Sequence, residues 1–294
     1  MTNGVLREVA RAKVNLSLKI LGRRSDGYHE LASLVAFADI GDVVEVDPSS
    51  PDRVVVEGPF ASGLSGDNIV ETAIDRLRGA HPEIVLGGVR IEKHLPIAAG
   101  LGGGSANAAA FLRVIQRLNP GLLDVIDWQG LALSLGADVP VCLANETRWM
   151  TGIGERLESL GVYEAFSLSV VLANPIAPVP RDKTAEVFRV LNAAPLGDLQ
   201  PVSVPTNLLS DMQSVVGFAT QAGNDLQAAA AQVVPEIGDV LAALDATHGC
   251  RLAAMSGAGP TCFGIYSADD AKVAAKALEA SHPTWWVCPT LLRI

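Results

Sequence analysis

Glycine fills four of the five positions from Gly100 to Gly104 in the run Pro96-Ile97-Ala98-Ala99-Gly100-Leu101-Gly102-Gly103-Gly104-Ser105-Ala106-Asn107. The alternating residues 89–93 before it read as a strand, and Ala108, Phe111, Leu112, Ile115 and Leu118 after it keep helical spacing, so the loop is expected at a helix N-terminus. The first N–H groups of a helix have no partner within it and carry the positive end of its dipole, which makes such a loop a place for an anion. Glycine lets the backbone approach a phosphate closely. Two familiar loops do not fit: Gly104 is followed by Ser105 with no lysine, as a P-loop would need, and a dinucleotide fingerprint would need glycine where Ser105 stands. A plain flexible linker is the alternative, and the sharp strand-to-helix boundary weighs against it.

Three further groups could do chemistry. Val14, Leu16, Leu18 and Ile20 alternate with polar residues across 12–21, the pattern of one half-buried strand that puts Lys13 and Asn15 on the same polar face. A strand lysine ordinarily lies in solvent. Tyr28-His29 leaves an Asp26-Gly27 turn, where an aromatic ring and an imidazole could read a planar base, or merely pack. Asp138, in Gly136-Ala137-Asp138-Val139-Pro140, is either a helix cap or a carboxylate held in a partly desolvated site.

The elements that must position these groups follow from the rest of the chain. Its 294 residues, 49% of them apolar, are ample for a buried core. A formal charge of −10 argues against a nucleic-acid-binding surface. Cys142, Cys250, Cys262 and Cys288 are scattered without a Cys-x-x-Cys pair, which suits thiols in a reducing compartment. Early charges in the first ten residues do not fit a secretory signal, and no apolar run reaches membrane-spanning length, so a cytoplasmic protein is expected. Strands are expected at 31–38, 43–46, 53–57 and 89–93, with a helix capped by Asp67 whose apolar face is Ile69, Val70, Ala73, Ile74 and Leu77. Helices follow to Asn119 and over 128–135. Beyond 161 the pattern changes: strand 166–173, a proline-rich stretch, helices at 184–191, 207–216, 225–231 and from 235 to 249, strands 251–255 and 261–266, helix 269–280 and a last strand near 286–292. This interleaving predicts an α+β unit of split βαβ type.

Lys13-Val14-Asn15-Leu16, Arg24-Ser25-Asp26-Gly27-Tyr28-His29-Glu30-Leu31, the glycine loop from Leu95 to Ala109, Gly136-Ala137-Asp138-Val139-Pro140 and Met255-Ser256-Gly257-Ala258-Gly259 together resemble the successive motifs of the GHMP kinase superfamily. The resemblance covers nearly the whole chain. Within the superfamily, the Asp-Gly-Tyr-His segment resembles the branch whose acceptor carries cytidine diphosphate. The resemblance implies a two-domain α+β fold, a ribosomal protein S5 domain 2-like N-terminal domain over 1–162 and a ferredoxin-like C-terminal domain over 163–294. It implies an ATP-dependent, magnesium-requiring kinase of non-mevalonate isoprenoid synthesis, acting on the 2-hydroxyl of a methylerythritol. Asp138 would accept the hydroxyl proton, and Lys13 would stabilise the alkoxide and orient Asp138. Residues 96–106 would wrap the ATP phosphates, Ser105 would neighbour the magnesium ion, and Asn68 and Lys93 would contact adenosine. Asn15, Tyr28 and His29 would hold the cytidine substrate, with Phe188 as second aromatic. The partner is then a small molecule, with no nucleic acid and no membrane, and the protein a monomer or homodimer. Other sugar or polyol kinases of the superfamily, and a non-catalytic nucleotide-binding protein, are the alternatives. The chain departs from the pattern at Ala98-Ala99, at Ala258 and Pro260, and in about three extra residues, Arg181 to Lys183, ahead of Thr184 and Phe188.

Overall fold

The alternating run at residues 12–21 does not form one strand. In the computed structural model, which describes residues 4–62, 68–160, 166–197 and 210–294, it contributes to β1 (Leu6–Asn15) and β2 (Lys19–Arg23). Between them the chain turns aside: Leu18 exchanges backbone hydrogen bonds with Gly223 and Asp225, and Ser17 Oγ accepts the Leu34 N–H. Residues 12–18 are buried on both faces, so the half-buried strand of the sequence pattern is a fully buried one.

The two strands expected at 31–38 and 43–46 are one, β3 (His29–Asp47). Gly41 marks a close crossing rather than a turn, since a Cβ there would lie 2.1 Å from the Ala10 carbonyl oxygen. β4 (Val54–Glu57), α1 (Ile69–Ala80), β5 (Gly88–Glu92), α2 (Gly103–Leu118) and α3 (Trp128–Leu135) fall where periodicity puts them. The cap of α1 is Asn68, whose side chain accepts from Val70 N at 2.9 Å; Asp67, the expected cap, lies outside the described residues. Among the short elements that escaped the pattern are a 3-10 turn at Pro120–Leu122, α4 (Val139–Ala144), β6 (Arg148–Gly152) and β7 (Arg156–Ser159). Then come β8 (Ser167–Asn174), α5 (Lys183–Leu191), α6 (Met212–Ala222), α7 (Gln227–Val233) and α8 (Glu236–Asp245). The helix expected over 207–216 is thus α6, shifted toward the C-terminus, and 207–209 lie outside the described residues. β9 (Leu252–Met255), β10 (Cys262–Tyr266), α9 (Ala268–Ser281) and β11 (Trp286–Arg293) close the chain.

Two compact units result, and they interleave in sequence. The first is Met1–Ala12, Ile40–Ile97 and Gly102–Asn145; the second is Lys13–Asp39, Ala98–Leu101 and Glu146–Ile294. The expected domain boundary at 162 falls within 161–165, outside the described residues.

In the first unit β5 pairs antiparallel with residues 43–47 of β3 and parallel with β4. α2 packs against α1, α3 and α4. Sequence periodicity gives α2 one apolar face, but Ala106 through Leu112, Val114 and Ile115 are all buried. Alanine and glycine make this possible, because small side chains let neighbours close in on every side.

In the second unit β11, β8, β10 and β9 form an antiparallel sheet in that order. With α8 and α9 packed on it this is the expected β-α-β-β-α-β arrangement. Residues 31–38 of β3 add β6 along one stretch and meet β11 at Leu292↔Ala38. The core joins Val171, Val187, Ile237, Met255 and Tyr266, among others. Burial pushes the Cys262 thiol far above its ordinary range and Cys288 up to about 11, so both are protonated at neutral pH.

Candidate active site

The glycine loop divides its hydrogen bonding by polarity. In the second unit four successive carbonyls, Ala98, Ala99, Gly100 and Leu101, accept from Lys183 Nζ (2.9 Å), Thr261 N (3.1 Å), Ser256 Oγ (3.0 Å) and Lys13 N (2.9 Å). The negative ends of these peptide groups are therefore occupied. Ala98 and Gly100 hold positive φ, 51° and 78°, and a Cβ on Gly100 would lie 2.5 Å from the Ser256 carbonyl oxygen, so glycine is required there.

The helix that follows begins without a side-chain cap. Gly102 stands at the N-cap of α2 in the left-handed conformation, φ 64° and ψ 23°, and among the described residues the helix has no side-chain cap hydrogen bond. α1, α3, α6 and α9 are capped by Asn68, Asp127, Asp211 and Ser267, whereas α4, α5, α7 and α8, like α2, have no side-chain cap. The first N–H groups of α2 therefore meet no side-chain cap, a condition that an anion site at a helix start requires. Ser105 puts a hydroxyl in this first turn. Gly104 has open space where a Cβ would be, whereas a Cβ on Gly103 would come 3.2 Å from Lys93 Nζ.

Lys93 is 4% exposed, and its Nζ lies 2.5 Å from Asp42 Oδ2. The other Asp42 oxygen accepts from His94 N and Leu95 N at 2.8 and 2.9 Å. Asp42 thus fastens the end of β5 to the start of the loop. Asn68, also of the first unit, uses its side-chain oxygen to cap α1.

In the second unit Lys13, Asn15 and Ser17 are 4, 2 and 1% exposed, so the solvated fate ordinary for a strand lysine is overturned. The Asn15 amide is fixed by logic as well as by distance. Ser33 Oγ donates its single hydrogen to Ser17 O at 2.5 Å, so it must accept from Asn15 Nδ2 at 2.7 Å. That leaves Asn15 Oδ1 as a buried acceptor with no partner among the described residues. Asn15 N donates to Ser256 Oγ, whose own hydrogen goes to Gly100.

His29 and Phe188 are brought together: their rings stack with centroids 4.5 Å apart and planes 24° from parallel. The three extra residues before Thr184 do not carry Phe188 away from His29. Burial first, and the charge of Arg23 second, push His29 below its ordinary pKa, so its imidazole is neutral at pH 7, with one donor and one acceptor nitrogen. Tyr28 is 57% exposed beside this pair in sequence. Glu30 is buried with Arg24 and Arg156 on its carboxylate, bracing the hairpin that presents both.

Asp138 belongs to the first unit and sits at the N-cap position of α4, yet its side chain makes no capping hydrogen bond. The cap reading is therefore not the one realised. Sequence reasoning missed Ser33, Ser256, Asp42 and Lys183. Ser256 alone had a signal, its place in the closing Ser-Gly turn.

The second unit thus holds a buried amide acceptor and a stacked imidazole, and the first unit holds a half-buried carboxylate and a glycine helix start without a side-chain cap. Residues 68–146 match the family model for the GHMP kinases N terminal domain and 208–284 that for GHMP kinases C terminal. The chain belongs to the GHMP kinase family. It is 46% identical to 4-diphosphocytidyl-2-C-methyl-D-erythritol kinase of Bradyrhizobium sp. (strain ORS 278), over 97% of this chain and 96% of that protein. It is also 46% identical to the kinase of the same name from Methylobacterium radiotolerans, over 98% and 99%. A crystal structure of 4-(cytidine 5'-diphospho)-2C-methyl-D-erythritol kinase superposes with a TM-score of 0.73 at 32% identity, over 98% of this chain and 99% of that one.

Proposed function

We propose that the chain is an ATP-dependent kinase that phosphorylates the 2-hydroxyl of 4-diphosphocytidyl-2-C-methyl-D-erythritol in the cytoplasm, as a step of non-mevalonate isoprenoid synthesis, acting as a monomer or homodimer. The observation that carries the reading is 46% identity to a kinase of that name across nearly the full length of both chains. The uncapped start of α2 supports residues 96–106 as the cradle of the triphosphate.

In this reading Asp138 takes the proton of the acceptor hydroxyl as its oxygen attacks the γ-phosphorus and the bond to the bridging oxygen of ADP breaks. The Lys13 ammonium offsets charge on the acceptor oxygen and on the phosphoryl group in transfer. Magnesium with a nucleotide takes phosphate and water oxygens plus one or two from the protein, a demand the Ser105 hydroxyl fits, and it would neutralise charge on the β- and γ-phosphates. Asn68 and Lys93 would contact the adenosine. Asn15 offers Oδ1 to a donor of the acceptor substrate, while His29, Tyr28 and Phe188 hold its cytosine by hydrogen bonding and stacking.

Purified protein with ATP, magnesium and a panel of the cytidine compound, homoserine, mevalonate and galactose tests this. Turnover is expected with the cytidine compound alone, and Asp138→Ala is expected to lose turnover while keeping most of its ATP binding. Near-normal turnover in that variant would remove Asp138 from its role.

A further inference from the structure

Lys183 opens α5 and is 3% exposed. Its Nζ donates to three main-chain carbonyls, those of Ala98 at 2.9 Å, Ala258 at 3.1 Å and Gly259. Among the described residues no carboxylate pairs with it. A buried charge ordinarily needs such a counter-ion. Here an ammonium with three hydrogens meets three carbonyl oxygens, the ligand type that replaces the hydration shell of a monovalent cation in a filter of backbone carbonyls.

The cage joins two loops. Ala258 and Gly259 belong to the closing Ser-Gly turn, and Ala98 belongs to the glycine loop. Ala98 sits at φ 51°, a left-handed conformation that is costly for a residue with a Cβ. A charge-assisted bond to its carbonyl is the interaction that can hold it there. Burial pushes the Lys183 pKa down to about 8, which still leaves the ammonium charged at pH 7.

We propose that Lys183 is a positioning residue whose ammonium fills a monovalent-cation site made of the Ala98, Ala258 and Gly259 carbonyls, and that this built-in cation sets the conformation of the glycine loop for ATP. The inference rests on the reading of residues 96–106 as the phosphate loop. Removing the ammonium while keeping its stem leaves a carbonyl site that a free cation of similar size, ammonium or potassium, can enter.

The test uses Lys183→Met in the full chain, with KM for ATP and for the cytidine acceptor measured in choline chloride, ammonium chloride and potassium chloride at equal ionic strength. The expected result is a KM for ATP raised tenfold or more in choline chloride, an acceptor KM changed less than threefold, and a return toward wild type in ammonium or potassium. Wild type should not respond to the choice of cation. An unchanged KM for ATP, equal weakening of both substrates, or a defect that no cation reverses overturns the cage. Lys183→Gln, which keeps two N–H donors without the charge, serves if Lys183→Met does not fold; the same cation-reversible weakening is expected, and wild-type affinity overturns the proposal. Calorimetry of wild type with a non-hydrolysable ATP analogue separates the two readings. No binding there sinks the phosphate loop itself, whereas equal binding by wild type and variant sinks only the role of Lys183.

Discussion

Asn15 cannot turn its amide over, because Ser33 has spent its only hydrogen on Ser17. Ser33→Ala would leave Asn15 Nδ2 buried without an acceptor, at a cost of about 1–3 kcal/mol in stability. Urea unfolding measures this directly. His29→Ala should weaken the cytidine acceptor by about 1–3 kcal/mol while leaving ATP nearly untouched; comparable losses for both ligands would argue against a base-reading role. The same imidazole carries a pH signature. Its pKa is lowered in the folded chain, by burial first and Arg23 second, so the unfolded chain takes up the proton at higher pH than the folded one. Stability is therefore lost as pH falls below the ordinary histidine value of about 6.5. An NMR titration should find His29 below that value, and Arg23→Gln should raise it only in part, because burial remains.

At the scale of elements, β5 and α2 hold the loop between them by steric and electrostatic means that depend on one another. Lys93 could swing away from a side chain at Gly103 if it were mobile, but Asp42 pins its ammonium at 2.5 Å. Gly103→Val should accordingly raise KM for ATP strongly, whereas Gly104→Ala, with open space at the Cβ, should be far milder. Asp42→Ala strands a buried ammonium and should destabilise the protein by about 3–5 kcal/mol, read from thermal or denaturant unfolding. α5 serves twice, since Lys183 at its start holds the Ala98 carbonyl and Phe188 stacks on His29.

For the molecule as a whole, the chain passes between its two units at Ala12/Lys13, Asp39/Ile40, Ile97/Ala98, Leu101/Gly102 and Asn145/Glu146. No single cut leaves either unit intact. A fragment of residues 146–294 loses the stretch of β3 that pairs with β6 and meets β11, and should show no cooperative thermal unfolding when made alone; a sharp transition with native-like chemical-shift dispersion would contradict this. By itself the sequence determined what is local in the chain: most helices and strands, from their periodicity, and the glycine loop at a helix start, from the strand and helix on either side of it. The motifs that resemble the GHMP kinases are of the same local kind, each a short run of residues. Only tertiary structure decided which carbonyls the loop gives up and to whom, since Ala98 meets Lys183 and Gly100 meets Ser256 across 85 and 156 positions of sequence. It also decided that Lys13 is buried and that Asp138 does not cap its helix. The reason is physical: periodicity records which side of an element faces apolar neighbours, but a hydrogen bond between distant residues leaves no period in either of the segments it joins.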